Sequence, residues 1–331
     1  MINRILSPKE ILVNTLKKRN IRFLKLVGYP EGKDYLNVLA NDIKKGKWDI
    51  VLNKYFFDNF PGRVLQKEND FFLLGFKGEI LPDAYIIRRK NNSLPKLDIK
   101  LNFSKIPFFA VDLSFTSVLD PHEKDSLIVQ LSKTANILKN FLSNYHYFVF
   151  NVKEDILPYF SKAYDNYPFH IFSSFEDIYT LGPEYKKDLN IIVLDPNADK
   201  VLSYDDIEVD KINIFVLGGI IDKNQNLNGL TQEILPNCKH RKIVYKGYAF
   251  AVPDRLNHIT YIVSRWLTDE NRDETFEKYI KEIMPKKFLR YLIKRFYYKD
   301  PDFVNSLIKD YNISKEEFER LKKEIEGKNE M

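Results

Sequence analysis

Gly218 and Gly219 are the one adjacent pair among the 12 glycines of this 331-residue chain, and they follow an apolar run, Ile212 to Leu217, that reads as a buried strand. Glycine at such a place lets backbone approach a ligand closely. The loop continues Ile220-Ile221-Asp222-Lys223-Asn224 and so sets a carboxylate just beyond the turn. Two neighbouring runs end alike: Ile191-Ile192-Val193-Leu194 enters Asp195-Pro196-Asn197, and Lys242-Ile243-Val244-Tyr245 enters a loop that ends near Pro253. Asp112 closes a further strand-like run that begins at Phe108. Carboxylates at strand ends can accept protons, orient donors or hold Mg²⁺. The glycine loop is neither G-x-G-x-x-G nor a phosphate loop with GK[ST], so nicotinamide dinucleotides and ATP lose support. Taken alone, it also reads as a plain turn.

Three strand ends within about 60 residues line one pocket only if their strands are parallel neighbours, and the rhythm from Ile106 onward predicts that. Strand-like runs at 108–113, 147–152, 169–172, 190–194, 212–217 and 241–245 alternate with helical patterns. The clearest helix is Glu123 to Leu142, with Leu127, Leu131, Ala135, Leu138 and Leu142 at helical spacing. Such alternation implies a parallel sheet covered by helices, with ligands at the carboxyl ends of its strands.

The flanks differ. Ser7, Pro8 and Glu10 form a helix-start signature, a second helix is expected over 34–45, and short β-type runs follow at 71–76, 84–89 and 97–103. After about residue 266 the pattern is helical. Between Lys278 and Lys299 lie eight basic residues and one acid, Glu282; Lys287, Arg290 and Lys294 share one helix face, opposite Leu289, Leu292, Ile293 and Phe296. Divisions at 1–105, 106–265 and 266–331 are therefore expected.

The net charge of +6 hides this partition. Residues 1–105 hold 21 basic and 11 acidic side chains, 106–265 hold 16 and 20, and 266–331 hold 15 of each. An acidic centre behind a basic N-terminal third suits a polyanion held by the flanks. In the first third, the basic clusters Lys17 to Lys25, Lys44 to Lys47 and Arg88 to Lys90 lie among Tyr29, Trp48, Tyr55 and Tyr85. That mixture suits RNA where the rings are exposed, and a hydrophobic core where they are not. A single cysteine, Cys238, excludes an internal disulfide and a cysteine metal cluster, and histidines 122, 146, 170, 240 and 258 lack metal-ligand spacing. No apolar run approaches the roughly 20 residues of a membrane helix, and Met1 to Glu10 lacks the apolar core of a signal peptide, so a soluble, cytoplasmic protein is expected.

Several separated stretches together resemble a known family. They are Ala110-Val111-Asp112-Leu113-Ser114-Phe115, the helix opening Glu123-Lys124-Asp125-Ser126-Leu127 with Gln130 and Lys133 beyond it, Gly218 through Asn224, and Asn257-His258-Ile259. The family is the SPOUT superfamily of S-adenosylmethionine-dependent RNA methyltransferases, in the branch that methylates ring nitrogen one of the purine at tRNA position nine. Its archaeal members similarly flank the catalytic domain with other domains. Lys133 stands where the branch usually has Arg, and Lys242-Ile243-Val244-Tyr245 where its third pocket loop usually reads Arg-Leu-Pro-Ile.

The resemblance implies a trefoil-knotted α/β domain over 106–265, flanked by an N-terminal α+β module and a C-terminal helical segment, and a monomer that acts on tRNA. It implies S-adenosylmethionine bent among Leu194, Asp195 and Pro196, then Leu217, Gly218, Gly219, Asp222 and Asn224, then Ile243, Val244 and Tyr245. Asp222 is the implied base or base-orienting acceptor, Asp112 the second carboxylate and Gln130 a partner for the target base. Lys133, with Lys17, Lys18, Arg19, Arg88, Arg89, Lys287, Arg290 and Lys294, is expected to hold RNA. A guanine needs a base to remove its ring proton, whereas an adenine offers a lone pair; both remain open as substrates. Two other readings also stay open: a metal-dependent RNA nuclease using Asp112, Asp195 and Asp222, and a non-catalytic RNA-binding protein.

Overall fold

The computed structural model describes residues 5–28, 34–55, 60–89, 94–163, 168–181, 188–220, 229–269 and 275–329. Its first helix, α1 (Pro8–Lys17), begins as the sequence predicts: the Glu10 carboxylate accepts the Ser7 N–H at 2.8 Å and Pro8 fills the first turn. Helix α2 (Tyr35–Lys44) is capped by Asp34, which accepts the Asn37 N–H at 3.1 Å. Both helices bury aliphatic faces, Leu12, Val13 and Leu16 on one and Leu36, Leu39 and Ala40 on the other, in the core of a five-stranded sheet. Its strands are β1 (Phe23–Leu26), β2 (Trp48–Leu52), β3 (Val64–Glu68), β4 (Phe71–Leu74) and β5 (Ala84–Arg88), in the order β2-β5-β1-β4-β3. β1 runs parallel to β4 and β5, and the two edge strands run antiparallel.

The strand expected over 97–103 is not one. These residues run extended between the two sheets, with Leu101 and Phe103 buried and Asp98, Lys100 and Asn102 exposed. Their period of two reports one covered side, and among the described residues only Leu97 of this stretch donates its N–H to a strand, at Ile50, 2.7 Å away.

The second sheet carries β6 (Phe108–Asp112), β7 (Tyr147–Phe150), β8 (His170–Ile171), β9 (Leu189–Leu194), β10 (Ile212–Gly218) and β11 (Lys239–Arg241). All pairs are parallel, in the order β11-β9-β10-β6-β7-β8, so β9, β10 and β6 are neighbours and their carboxyl ends lie together. Helices α3 (Pro121–Phe141), α4 (Leu157–Ala163) and α5 (Leu256–Thr268) accompany it, α3 capped by Asp120 with Glu123. Phenylalanines fill one side, where Phe148 lies 5.1 Å from Phe172 and Phe150 lies 5.2 Å from Phe175. The strand expected at 241–245 sits earlier, at 239–241. Ile243 and Tyr245 are buried as loop residues, and Tyr245 and Tyr248 exchange backbone hydrogen bonds at 3.0 Å around a tight turn through Lys246 and Gly247, both at positive φ.

Among the described residues four more helices follow: α6 (Glu277–Ile283), α7 (Lys286–Phe296), α8 (Pro301–Asp310) and α9 (Lys315–Asn329). The buried face of α7 is the expected one, Leu289, Leu292, Ile293 and Phe296. The two sheets are joined through α2 and α3. Asn37 Nδ2 donates to the Lys139 carbonyl at 2.8 Å and Asn41 Nδ2 to the Leu142 carbonyl at 3.0 Å, which satisfies carbonyls at the end of α3 that the helix itself leaves open. Among the described residues no helix is long and apolar enough to cross a membrane.

Candidate active site

A cavity of about 580 Å³ opens at the carboxyl ends of β9 and β10, within the size range of small-molecule sites. The end of β9 contributes Leu194, Asp195, Pro196 and Asn197; the end of β10 contributes Leu217, Gly218 and Ile220. Ile243 follows from the loop after β11. Six of the residues that the sequence assigns to a cofactor, Leu194, Asp195, Pro196, Leu217, Gly218 and Ile243, therefore share one wall. Gly219, Val244 and Tyr245 do not line it. Asp222 and Asn224, with Ile221 and Lys223, lie outside the described residues, as do Tyr29 and Lys90.

Each strand end is held by local hydrogen bonds. Asp195 accepts the Asn197 N–H at 3.0 Å on one oxygen and faces His240 Nδ1 at 3.4 Å with the other, so its buried carboxylate shapes the Asp-Pro-Asn turn. Gly219 donates its N–H to the Asp112 carbonyl at 2.8 Å, and a Cβ there would stand 2.6 Å from Leu113 Cδ2 and 2.7 Å from that carbonyl oxygen. The tight approach of β10 to β6 thus requires glycine at 219. At 218 a Cβ would meet Ile220 and Ile234 at 3.1 Å, which is close but movable.

Asp112 does not line the cavity. It is buried, and its carboxylate accepts the Ser114 N–H at 2.8 Å, the Ser114 hydroxyl and Asn151 Nδ2 at 3.1 Å. Gln130 is buried too, and its Oε1 accepts the N–H of Leu256, a cavity residue at the start of α5. Tyr245 sends its hydroxyl to Asp310 at 3.3 Å, and burial pushes that phenol well above its ordinary range. Lys246 and Lys281 both pair with Asp310, at 2.9 and 3.0 Å. The loop after β11 is in this way fastened to α6 and α8.

Several cavity residues carry no strand-end signal in the sequence. Arg241 lies on the wall with its charge engaged by Asp206 at 2.7 Å; burial opposes ionisation of Asp206, but Arg241 holds its carboxyl below the ordinary value. Asp254 adds an exposed carboxylate, and Phe250, Phe288, Tyr291 and Arg295 close the outer side. The last three come from α7, which no strand pattern could have placed here.

The expected RNA contacts are scattered and unequal. Lys17 pairs with Asp70, and Arg89 with Asp49 at 2.9 Å. Arg88 lies 5.5 Å from the ring of Trp48, which is buried like Tyr85, while Tyr55 is exposed. Lys18, Arg19, Lys133 and Lys287 are exposed; Arg290 pairs with Glu317 at 2.7 Å and Lys294 with Glu324 at 2.5 Å.

No protein-family profile matches the chain. It is 24% identical over 245 residues to a tRNA (guanine(9)-/adenine(9)-N1)-methyltransferase of Thermococcus kodakarensis, across 66% of this chain and 62% of that protein. It is 26% identical over 192 residues to a tRNA (adenine(9)-N1)-methyltransferase of Sulfolobus acidocaldarius, across 57% of this chain and 58% of that protein. The match therefore spans about three fifths of each curated relative. Among solved structures, Sulfolobus acidocaldarius Trm10 in complex with S-adenosylhomocysteine superposes with a TM-score of 0.68 at 16% identity, covering 97% of this chain and 99% of that one. The chain has the Trm10 fold. A second structure of Sulfolobus acidocaldarius Trm10 covers 85% of this chain with a TM-score of 0.59. Within the Trm10 fold, the cavity of this chain lies where parallel α/β sheets bind ligands, at the carboxyl ends of neighbouring strands.

Proposed function

We propose that the chain is an S-adenosylmethionine-dependent tRNA methyltransferase acting as a monomer on ring nitrogen one of the purine at position nine, and that its chain is threaded as a trefoil knot. The observation that carries this reading is the cavity at the ends of β9 and β10 in a chain of Trm10 fold. The named relatives in Thermococcus and Sulfolobus support tRNA as substrate.

The residues present fit the cofactor. Leu194, Leu217, Ile243 and Val252 offer apolar contact, Gly218 brings backbone to the wall without a side chain, and Asp254 supplies an anionic group for a cationic ligand. When bound, S-adenosylmethionine supplies a methyl group on a sulfonium. The nitrogen lone pair forms the new N–C bond as the C–S bond breaks, and its electron pair stays on sulfur. The wall of the cavity serves mainly to orient the reacting atoms. For guanine the ring proton must leave, and Asp222 is the residue proposed to take it; for adenine no base is needed before attack.

The nuclease reading finds no comparable support. Asp112 is engaged by Ser114 and Asn151 and Asp195 by Asn197 and His240, while Asp222, the third carboxylate of that reading, lies outside the described residues. The reading as a non-catalytic RNA binder leaves the cavity unexplained. Incubation with unmodified tRNA transcripts and methyl-labelled S-adenosylmethionine, followed by nucleoside analysis, tests the proposal. Label in 1-methyladenosine or 1-methylguanosine from position nine is expected; absence of saturable S-adenosylmethionine binding by calorimetry would overturn it.

A further inference from the structure

Helix α7 turns its cations in two directions. Arg290 and Lys294 face α9 and spend their charge on Glu317 and Glu324. Arg295 faces the cavity instead. Its guanidinium lies 4.9 Å from the ring centre of Phe250 and 5.7 Å from that of Tyr291, and Nη1 donates to the Tyr291 hydroxyl. Among the described residues it has no carboxylate partner.

The cavity wall also changes character from floor to mouth. Leu217, Val252 and Leu256 are buried, whereas Phe250 and Tyr291 keep 41% and 47% of their surface exposed. Phe250 is fixed from behind by Phe296, stacked at 5.1 Å with 2° between the planes. A floor shielded from water suits the cofactor. An exposed ring beside a guanidinium with no carboxylate partner among the described residues suits a flat base arriving from solvent with a phosphate attached.

We propose that Tyr291 and Arg295 receive the target nucleotide: the purine stacks on Tyr291 at the cavity mouth, and the Arg295 guanidinium holds the adjoining phosphate. The inference rests on the methyltransferase reading above and deepens it, assigning delivery of the base to a helix outside residues 106–265. Stacking on an aromatic side chain tolerates either purine, since each has a π-face, and the planar guanidinium matches two phosphate oxygens.

The test uses the full chain and a tRNA transcript carrying 2-aminopurine at nucleotide nine. Binding is expected to change the 2-aminopurine emission for the wild type and for Tyr291→Phe, and Tyr291→Ala is expected to lose most of that change. On unmodified tRNA, Tyr291→Ala is expected to slow single-turnover methyl transfer about 5- to 100-fold, the range of a lost base stack, with a much smaller effect on S-adenosylmethionine affinity. Arg295→Gln is expected to lower the salt slope of tRNA binding by about one unit. The proposal is overturned if Tyr291→Ala leaves emission and rate unchanged, or weakens S-adenosylmethionine binding as much as it slows transfer. A wild-type chain that binds no S-adenosylmethionine sinks the methyltransferase reading only, because the emission signal and its loss in Tyr291→Ala require no methyl transfer.

Discussion

Gln130, midway along α3, accepts the backbone N–H of Leu256 at 3.0 Å across 126 positions of sequence. The amide thereby caps α5 just where that helix enters the cavity wall, and both groups are buried. Gln130→Ala strands a buried donor and is expected to cost about 1–3 kcal/mol, seen as a Tm lowered by several degrees, with Gln130→Glu restoring most of it because an acceptor remains. Thermal unfolding of the three proteins checks this. Unchanged Tm with lost methylation would instead put the amide on the target base.

Substitutions at the glycine pair should separate sharply. Gly219→Ala drives a methyl into Leu113 and the Asp112 carbonyl, so β10 and β6 must part; a loss of about 1–3 kcal/mol is expected, together with weakened S-adenosylmethionine binding. Gly218→Ala meets only side-chain termini and should cost less. Denaturant titration and calorimetry on the two variants decide the order, and equal effects would show that the approach of the strands is not what demands glycine.

His146 gives the fold a dependence on acid. It is fully buried, stacks on Phe108 at 4.1 Å and places Nδ1 2.9 Å from the Ile106 carbonyl; burial pushes its pKa down to about 3. The unfolded chain binds this proton near pH 6.5 and the folded one only near 3, so stability falls as pH drops between those values. The slope from this residue approaches about 1.4 kcal/mol per pH unit. Tm measured from pH 7 to 4 should fall less steeply in His146→Phe than in the wild type, and parallel curves would exclude the histidine as the cause.

Salt dependence can sort the basic residues. A cation that meets a phosphate steepens the log–log salt slope by about 0.7–0.9. Lys18→Ala, Arg19→Ala and Lys287→Ala are expected to flatten it, whereas Arg290→Ala and Lys294→Ala should change it little, their charges being spent on Glu317 and Glu324. Filter binding of tRNA across 50–300 mM salt, roughly the range where such slopes are resolved, measures each. A large flattening from Arg290→Ala would mean that RNA displaces Glu317.

The sequence made the parallel sheet legible because its central strands are buried on both faces, and continuous runs such as Phe108 to Val111 and Ile212 to Leu217 can mean little else. Helix starts were legible where a cap is chemical: Ser7 with Glu10, and Asp34. The same reasoning failed at 97–103 and 243–245, where apolar side chains are buried without a ladder. At the site, residues next to strand ends could be found by their position in the chain. Gln130 is marked only by the family resemblance and Arg295 only as one cation of the basic stretch, because what each does depends on a partner far away in sequence: Leu256 for one, Phe250 and the cavity mouth for the other. The basic stripe on α7 was visible as a pattern, but the acids that neutralise two of its members belong to α9.

Asn37 and Asn41 close the end of α3 from another part of the molecule. A joint made of buried amide–carbonyl bonds resists hinging, so the first sheet and the cavity keep one separation. On the proposed function, an RNA held at the exposed Lys18 and Arg19 would reach the cavity mouth across that joint.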